Sequence, residues 1–437
     1  MENILKDIVI QQKKENYVGI YSACSANRYV IEAVLAHAKK EQYLALIEST
    51  ANQVNQFGGY IGMTPNDFRE FVYAIAKEVG IDKKQIILGG DHLGPLLWVK
   101  ENVDNAMEKA ADLIESYVTA GFTKIHIDTS MKLAGDPVEK DLHEQLIVER
   151  ACFLAQKAQS AFVKYKKEFP DAITPVYVIG SEVPIPGGVG DEEGIHVTTP
   201  SDYSKTIKDY NEAFLNRELY DIWENVIAVV VQPGVEFGND SVHEYNREVA
   251  KDLTNELKKF PNLVFEGHST DYQTKEKLRE MVEDGVAILK VGPQLTFALR
   301  EVLYLLELCE MNLVEEGKQS NFRKVLEEEM MNIPEHWEKH YLGNAKEQKL
   351  YRSYSYSDRC RYYLSNTIVE AAIQRLLSNL IEQQIPLMLL SNYLPKQYLK
   401  IREGILTCEP QDIIQDYLFG VLDDYLYATE QGKLIVE

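Results

Sequence analysis

Short apolar runs that end in polar or glycine residues recur along the chain up to Lys290, and each is followed by a stretch with helical spacing. The runs are Tyr17–Ser22, Tyr43–Ile47, Gln85–Gly89, Lys124–Ile127, Val176–Ile179, Val226–Val231, Leu263–Phe265 and Val286–Lys290. Between them lie Tyr29–Lys40, Pro65–Val79, Val103–Ala120, Glu139–Lys167, Tyr203–Asn216, Val242–Lys259 and Thr274–Asp284, which read as helices. Strands alternating with helices predict parallel pairing through helical crossovers. Eight units point to a closed (β/α)₈ TIM barrel rather than the open, doubly wound sheet that the same alternation allows. Beyond Lys290 the texture changes. Phe297–Leu313, Phe322–Met331, Ser365–Ile381 and Gln411–Leu426 read as helices, with few strand signals between them. The expected layout is a barrel over residues 1–293 and a C-terminal helical extension over 294–437. The polar stretch between Leu313 and Asn321 is expected to be a hinge.

The 437 residues are 45% hydrophobic and 26% charged, which fits a globular protein and excludes a disordered or fibrous one. A formal net charge of -22 argues against nucleic acid and anionic membrane surfaces as partners. The 5 cysteines include no CxxC pair, so neither a disulfide framework nor a zinc ribbon is implied. The N-terminus lacks the apolar core of a signal peptide, and a cytoplasmic location is expected. No apolar run approaches the ~20 residues of a membrane span.

In a parallel barrel the chemistry sits at the carboxyl ends of the strands. There the sequence carries Glu48-Ser49-Thr50-Ala51-Asn52, Gly89-Gly90-Asp91-His92-Leu93-Gly94-Pro95, Asp128-Thr129-Ser130, Gly180-Ser181-Glu182, Gln232-Pro233-Gly234-Val235-Glu236, Glu266-Gly267-His268-Ser269-Thr270-Asp271 and Gly292-Pro293-Gln294. His92 and His268 are the best metal-ligand candidates, and Glu236 can complete a three-ligand site that leaves room for substrate. Taken alone, each histidine also fits a hydrogen-bonded residue of the barrel rim. Asp91 and Glu182 are candidate acid/base groups, and Asp128 joins them as a catalytic candidate. His126 shares a strand face with Asp128, opposite Ile125 and Ile127, and reads as a buried structural residue. Glu48, Asn52, Ser269, Thr270 and Lys290 are expected to contact substrate. A Schiff-base role for Lys290 is the lesser reading. Arg359 and Arg361, in the hydroxyl-rich stretch from Tyr351 to Tyr363, fit either a grip on a sugar phosphate or a solvated helix start. There is no GxxxxGK[ST] phosphate loop and no GxSxG elbow.

The stretches ESTANQVNQFGGYIG from Glu48, GGDHLGP from Gly89, VQPGVEFG from Val231, GHSTDYQT from Gly267 and KVGPQLT from Lys290 resemble the family of the D-tagatose-1,6-bisphosphate aldolase Z subunit, GatZ/KbaZ-like. Gly19–Ser25 and Tyr354–Tyr363 extend the resemblance to both ends of the chain. The resemblance implies a TIM barrel related to the class II, metal-dependent ketose-bisphosphate aldolases. In that group a catalytic aspartate precedes a zinc-binding histidine at the third strand end, which Asp91 and His92 match. The ligand after the seventh strand matches His268. The ligand after the sixth is usually histidine, whereas Glu236 stands nearest here. The implied cofactor is a divalent metal, zinc first and manganese, cobalt or nickel as alternatives. The expected function is a C4 epimerase acting on ketohexose phosphates, D-tagatose 6-phosphate and D-fructose 6-phosphate, by a retro-aldol route. The alternative is a non-catalytic subunit that stabilises the aldolase catalytic subunit. A homo-oligomer is expected as well.

Overall fold

The computed structural model describes residues 2–137, 142, 144–180 and 195–434. Eight parallel strands close into a barrel: Ile20–Cys24, Ala45–Thr50, Ile86–Leu93, Lys124–Ile127, Val176–Ile179, Val226–Val231, Val264–Gly267 and Val286–Val291, numbered first to eighth below. Each strand pairs with its sequence neighbours, and the first pairs with the eighth through Ile20–Ile288 to Ala23–Val291. The third strand runs further than its apolar pattern suggests and takes in Asp91 and His92.

Alternation along the strands sorts side chains into an outer layer against helices and an inner layer on the barrel axis. Ile47, Ile125, Ile127 and Leu289 join the outer core with the surrounding helices. Leu46, Ile87, Val178, Val230 and Ile288 face inward and form a second apolar cluster. The sequence pattern gave no sign of the helix Leu5–Lys13. Its Leu5, Ile8 and Val9 join this inner cluster, so the helix plugs the amino-terminal mouth of the barrel. Asn3 ties that plug down by donating from Nδ2 to the carbonyls of Thr123 and Thr174.

The change of texture after residue 293 separates strands from helices but not one packing unit from another. The long helix Pro410–Thr429 packs against Arg28–Glu41 and Lys275–Glu283, which follow the first and seventh strands. Beyond it Gln431 accepts from the Tyr21 amide and donates to the Leu44 carbonyl. The chain end therefore completes the ring of helices. The expected hinge is a pinned turn: Ser320 donates to both carboxylate oxygens of Glu310 through its amide and hydroxyl, and Arg375 and Asn379 hold the Lys318 carbonyl. The expected helix from Val242 starts only at Arg247, because Val242–His243 pair antiparallel with Glu236–Phe237.

Candidate active site

The barrel interior becomes more polar towards its carboxyl end. Above the inner apolar cluster lies a layer of buried charges. Lys124 Nζ is 2.7 Å from both Glu48 Oε1 and Glu266 Oε2, and all three side chains are fully buried. Lys290 Nζ is 2.5 Å from Glu48 Oε2 and 3.1 Å from Asp91 Oδ1. Gly89 makes room for this layer, since a Cβ there would fall 2.7 Å from Glu48 Cγ. Such charges are tolerable in a barrel core only because each is paired. Burial alone would lower the Lys290 pKa, but the carboxylates of Asp91, Glu48 and Glu266 outweigh it and hold the side chain as an ammonium.

One layer higher, ligand atoms of Asp91, His92, His126 and His268 all lie within 4.8 Å of one another. Regular alternation would send Asp91 and His92 to opposite faces. Instead the pairing with the fourth strand breaks register between Gly90 and Leu93, and His92 takes φ 49°. This bulge turns both side chains into the same cluster.

Each histidine is oriented by an acceptor on one ring nitrogen. His92 Nδ1 meets Asp128 Oδ2 at 3.0 Å, His126 Nε2 meets the Gly180 carbonyl at 2.9 Å, and His268 Nε2 meets Glu266 Oε1 at 3.0 Å. Those acceptors place the ring protons on the outer nitrogens. In the neutral rings the lone pairs fall on His92 Nε2, His126 Nδ1 and His268 Nδ1; that of His126 accepts from the His92 amide at 3.2 Å, and His92 has to give up a proton before it can hold a metal ion. His126 Nδ1 also meets Asp91 Oδ1 at 3.0 Å. Burial would lower the His92 pKa, but Asp91 and Asp128 push it up to about 9. Burial would raise Asp91, yet His92 and Lys290 hold it well below the usual carboxylate range. His268, by contrast, is pushed down to about 4 by burial. Three imidazoles and a carboxylate fit zinc and the other first-row divalent ions.

The cluster opens into a cavity of about 830 Å³. Its wall includes Asp91, His92, Asp128, His268, Asn52, Ser269, Lys290, Arg359 and Arg361, which places these expected residues around one space. The arginines reach it from the C-terminal part of the chain. Ser355 and Ser357 both donate to Asn239 Oδ1, and Tyr272 donates to the Tyr356 carbonyl. These bonds fasten the segment over the barrel mouth, so it is not a solvated helix start.

Other expected site residues stand elsewhere. Glu236 is not in the donor cluster: it lies in the two-residue strand beyond the sixth barrel strand, with Oε1 accepting from the Phe237 amide at 2.9 Å. Glu48 is sealed in the charged layer beneath the cavity and does not line it. Thr270 is fully buried and donates to the Lys290 carbonyl, so its hydroxyl braces the eighth strand and does not line the cavity. Glu182 lies outside the described residues. His126 joins the donor cluster in place of Glu236. Its inward face was readable from the sequence, but its height along the barrel axis was not.

Fold and site together define a (β/α)₈-barrel protein with a cluster of three histidines and an aspartate at its strand ends. Residues 5–430 match the family described as D-tagatose-1,6-bisphosphate aldolase subunit GatZ/KbaZ-like, and the chain belongs to that family. It is 44% identical over 428 residues to the D-tagatose-1,6-bisphosphate aldolase subunit GatZ of Escherichia coli strain SMS-3-5, covering 98% of this chain and 100% of that protein. The GatZ of Escherichia coli O157:H7 is equally similar, at 44% over 428 residues with the same coverage. A crystal structure from Sinorhizobium meliloti 1021, described as a probable tagatose 6 phosphate kinase, superposes with a TM-score of 0.86 at 42% identity, covering 94% of this chain and 100% of that one.

Proposed function

We propose that the chain is a Z-type subunit of D-tagatose-1,6-bisphosphate aldolase, acting with a separate aldolase catalytic subunit and carrying its own ketose-phosphate site. The observation that supports this most is end-to-end similarity to proteins named as that subunit. It favours the subunit role over the stand-alone epimerase expected from the strand-end residues, since those relatives are named for an aldolase. The test is analytical size-exclusion of the purified chain mixed with a tagatose-bisphosphate aldolase catalytic subunit. A shared, earlier peak is the expected result, and two independent peaks would refute the role.

The donor cluster favours a second reading, in which the cavity is itself catalytic towards ketohexose phosphates. His92, His126 and His268 would hold a divalent cation, with Asp91 beside it. Such an ion, when bound, would polarise a ketose carbonyl and the neighbouring hydroxyl. Asp91 lines the cavity beside the cluster, which is the position for a group that exchanges a proton with a substrate hydroxyl. Asp128 fixes the orientation of His92. Lys290 keeps a positive charge at the cavity wall and has no lone pair for Schiff-base chemistry. Arg359 and Arg361 are the cationic groups that suit a phosphate. Assay of the chain alone with D-fructose 6-phosphate and a divalent metal tests this reading. Formation of D-tagatose 6-phosphate supports it, and none refutes it.

A further inference from the structure

Barrels of this kind commonly hold a phosphate on the loops after the seventh and eighth strands and on the helix that begins there. In this chain those amides are already taken by its own side chains. Asp271 Oδ1 accepts from the Gly292 amide at 2.9 Å and from the Gln294 amide at 2.8 Å. Gln294 Oε1 in turn accepts from the Tyr272 amide at 2.8 Å. The Asp271 side chain is buried, lines the cavity and brings a carboxylate to the place where a phosphate would sit. A phosphate there would lose the amides and meet a like charge.

The cavity offers anions a different wall. Arg359 and Arg361 both line it, and among the described residues neither forms an ion pair with a carboxylate. Arg359 Nε is buried with no hydrogen-bond partner. Arg361 donates to the backbone carbonyls of Ser357 and Asp358, which fixes its guanidinium within electrostatic reach of Asp271 and Asp358 but in salt-bridge contact with neither. Its charge lies over the Tyr362 ring at 4.7 Å. Two guanidinium groups with no carboxylate in salt-bridge contact, in a chain of net charge -22, suit a dianion.

We infer that the cavity selects a ketose carrying one phosphate: Arg359 and Arg361 hold that phosphate, and Asp271 with Gln294 closes the usual barrel phosphate position to a second one. The inference rests on the reading that this cavity is a ketose-phosphate site, and it names the ligand class within it. Asp271 is then a specificity-determining residue. The site takes the monophosphate rather than the bisphosphate named for the relatives' aldolase.

The test is calorimetric titration of the full-length chain, loaded with zinc, with D-tagatose, D-tagatose 6-phosphate and D-tagatose 1,6-bisphosphate. The monophosphate should bind about 10- to 100-fold tighter than the free sugar, the range of one or two charge-assisted hydrogen bonds. The bisphosphate should bind no tighter than the monophosphate. Arg359→Gln should erase most of the monophosphate advantage over D-tagatose, and Arg359→Lys should recover part of it. Asp271→Ala frees both amides and should raise bisphosphate affinity about tenfold relative to the monophosphate. An unchanged monophosphate affinity in Arg359→Gln, or a wild-type preference for the bisphosphate, would overturn the inference and leave the ketose-phosphate site standing. Failure of all three sugars to bind would overturn both.

Discussion

Asp128 Oδ2 lies 3.0 Å from His92 Nδ1 and so decides which nitrogen of that ring faces the donor cluster. Carboxylates in this position sharpen the affinity of a metal-binding histidine, and losing them costs about 10- to 100-fold. Asp128→Ala should therefore weaken zinc binding by that factor, measured by competition with a chromogenic chelator. Unchanged affinity would mean that His92 does not hold the ion.

His126 and Glu236 separate the structural account from the expectation based on strand order. His126 belongs to the donor cluster, and Glu236 does not. His126→Gln should reduce bound zinc to a small fraction of stoichiometric after dialysis, while Glu236→Gln should retain it. Metal analysis by mass spectrometry checks both, and the reverse pattern would restore the ligand after the sixth strand.

Lys124 bridges Glu48 and Glu266 in the middle of the barrel. Without Lys124, Glu48 keeps Lys290 and Glu266 keeps His268 as close partners, but one buried oxygen of each carboxylate loses its ion pair, at a cost of about 3–5 kcal/mol. Lys124→Met should lower the stability by about that amount in urea unfolding monitored by circular dichroism. A loss of under ~1 kcal/mol would show that water reaches this layer.

Burial pushes the Asp271 carboxyl up from 3.8 to about 6, although the amides of Gln294 and Gly292 hold it down in part. The folded state therefore binds this proton more tightly than the unfolded chain. Its contribution to stability is present below the unfolded value and is lost as pH rises towards 6. Asp271→Asn keeps an Oδ1 for both amides and removes the charge. Its stability relative to wild type should rise between pH 4 and pH 7, by on the order of 1–3 kcal/mol. Melting curves across that range check it, and a difference that stays flat would place the titration elsewhere.

The fourth, fifth and sixth strands were legible to the residue, because their apolar runs stop where the barrel rim begins. The third was read short: Gly90-Asp91 looks like a loop, yet it continues the ladder opposite Ser49 and Thr50. Inward parity in the fourth and seventh strands carries Lys124 with His126 and Glu266 with His268, each pair two residues apart. That spacing was the available signal for both the charged layer and the third histidine. It was masked by the ordinary expectation that strand interiors are apolar. The plug helix was hidden because Leu5 and the run Ile8-Val9-Ile10 are too short a pattern to signal a helix. The return of the C-terminal helix to the ring is a long-range packing choice that no local pattern encodes.

The direct measurement of the central claim is the half-life at 37 °C of D-tagatose-1,6-bisphosphate cleavage by an aldolase catalytic subunit, with and without an equimolar amount of this chain. A Z-type subunit should prolong that half-life severalfold while the chain alone cleaves no bisphosphate. An unchanged half-life, or cleavage by the chain by itself, would contradict the account.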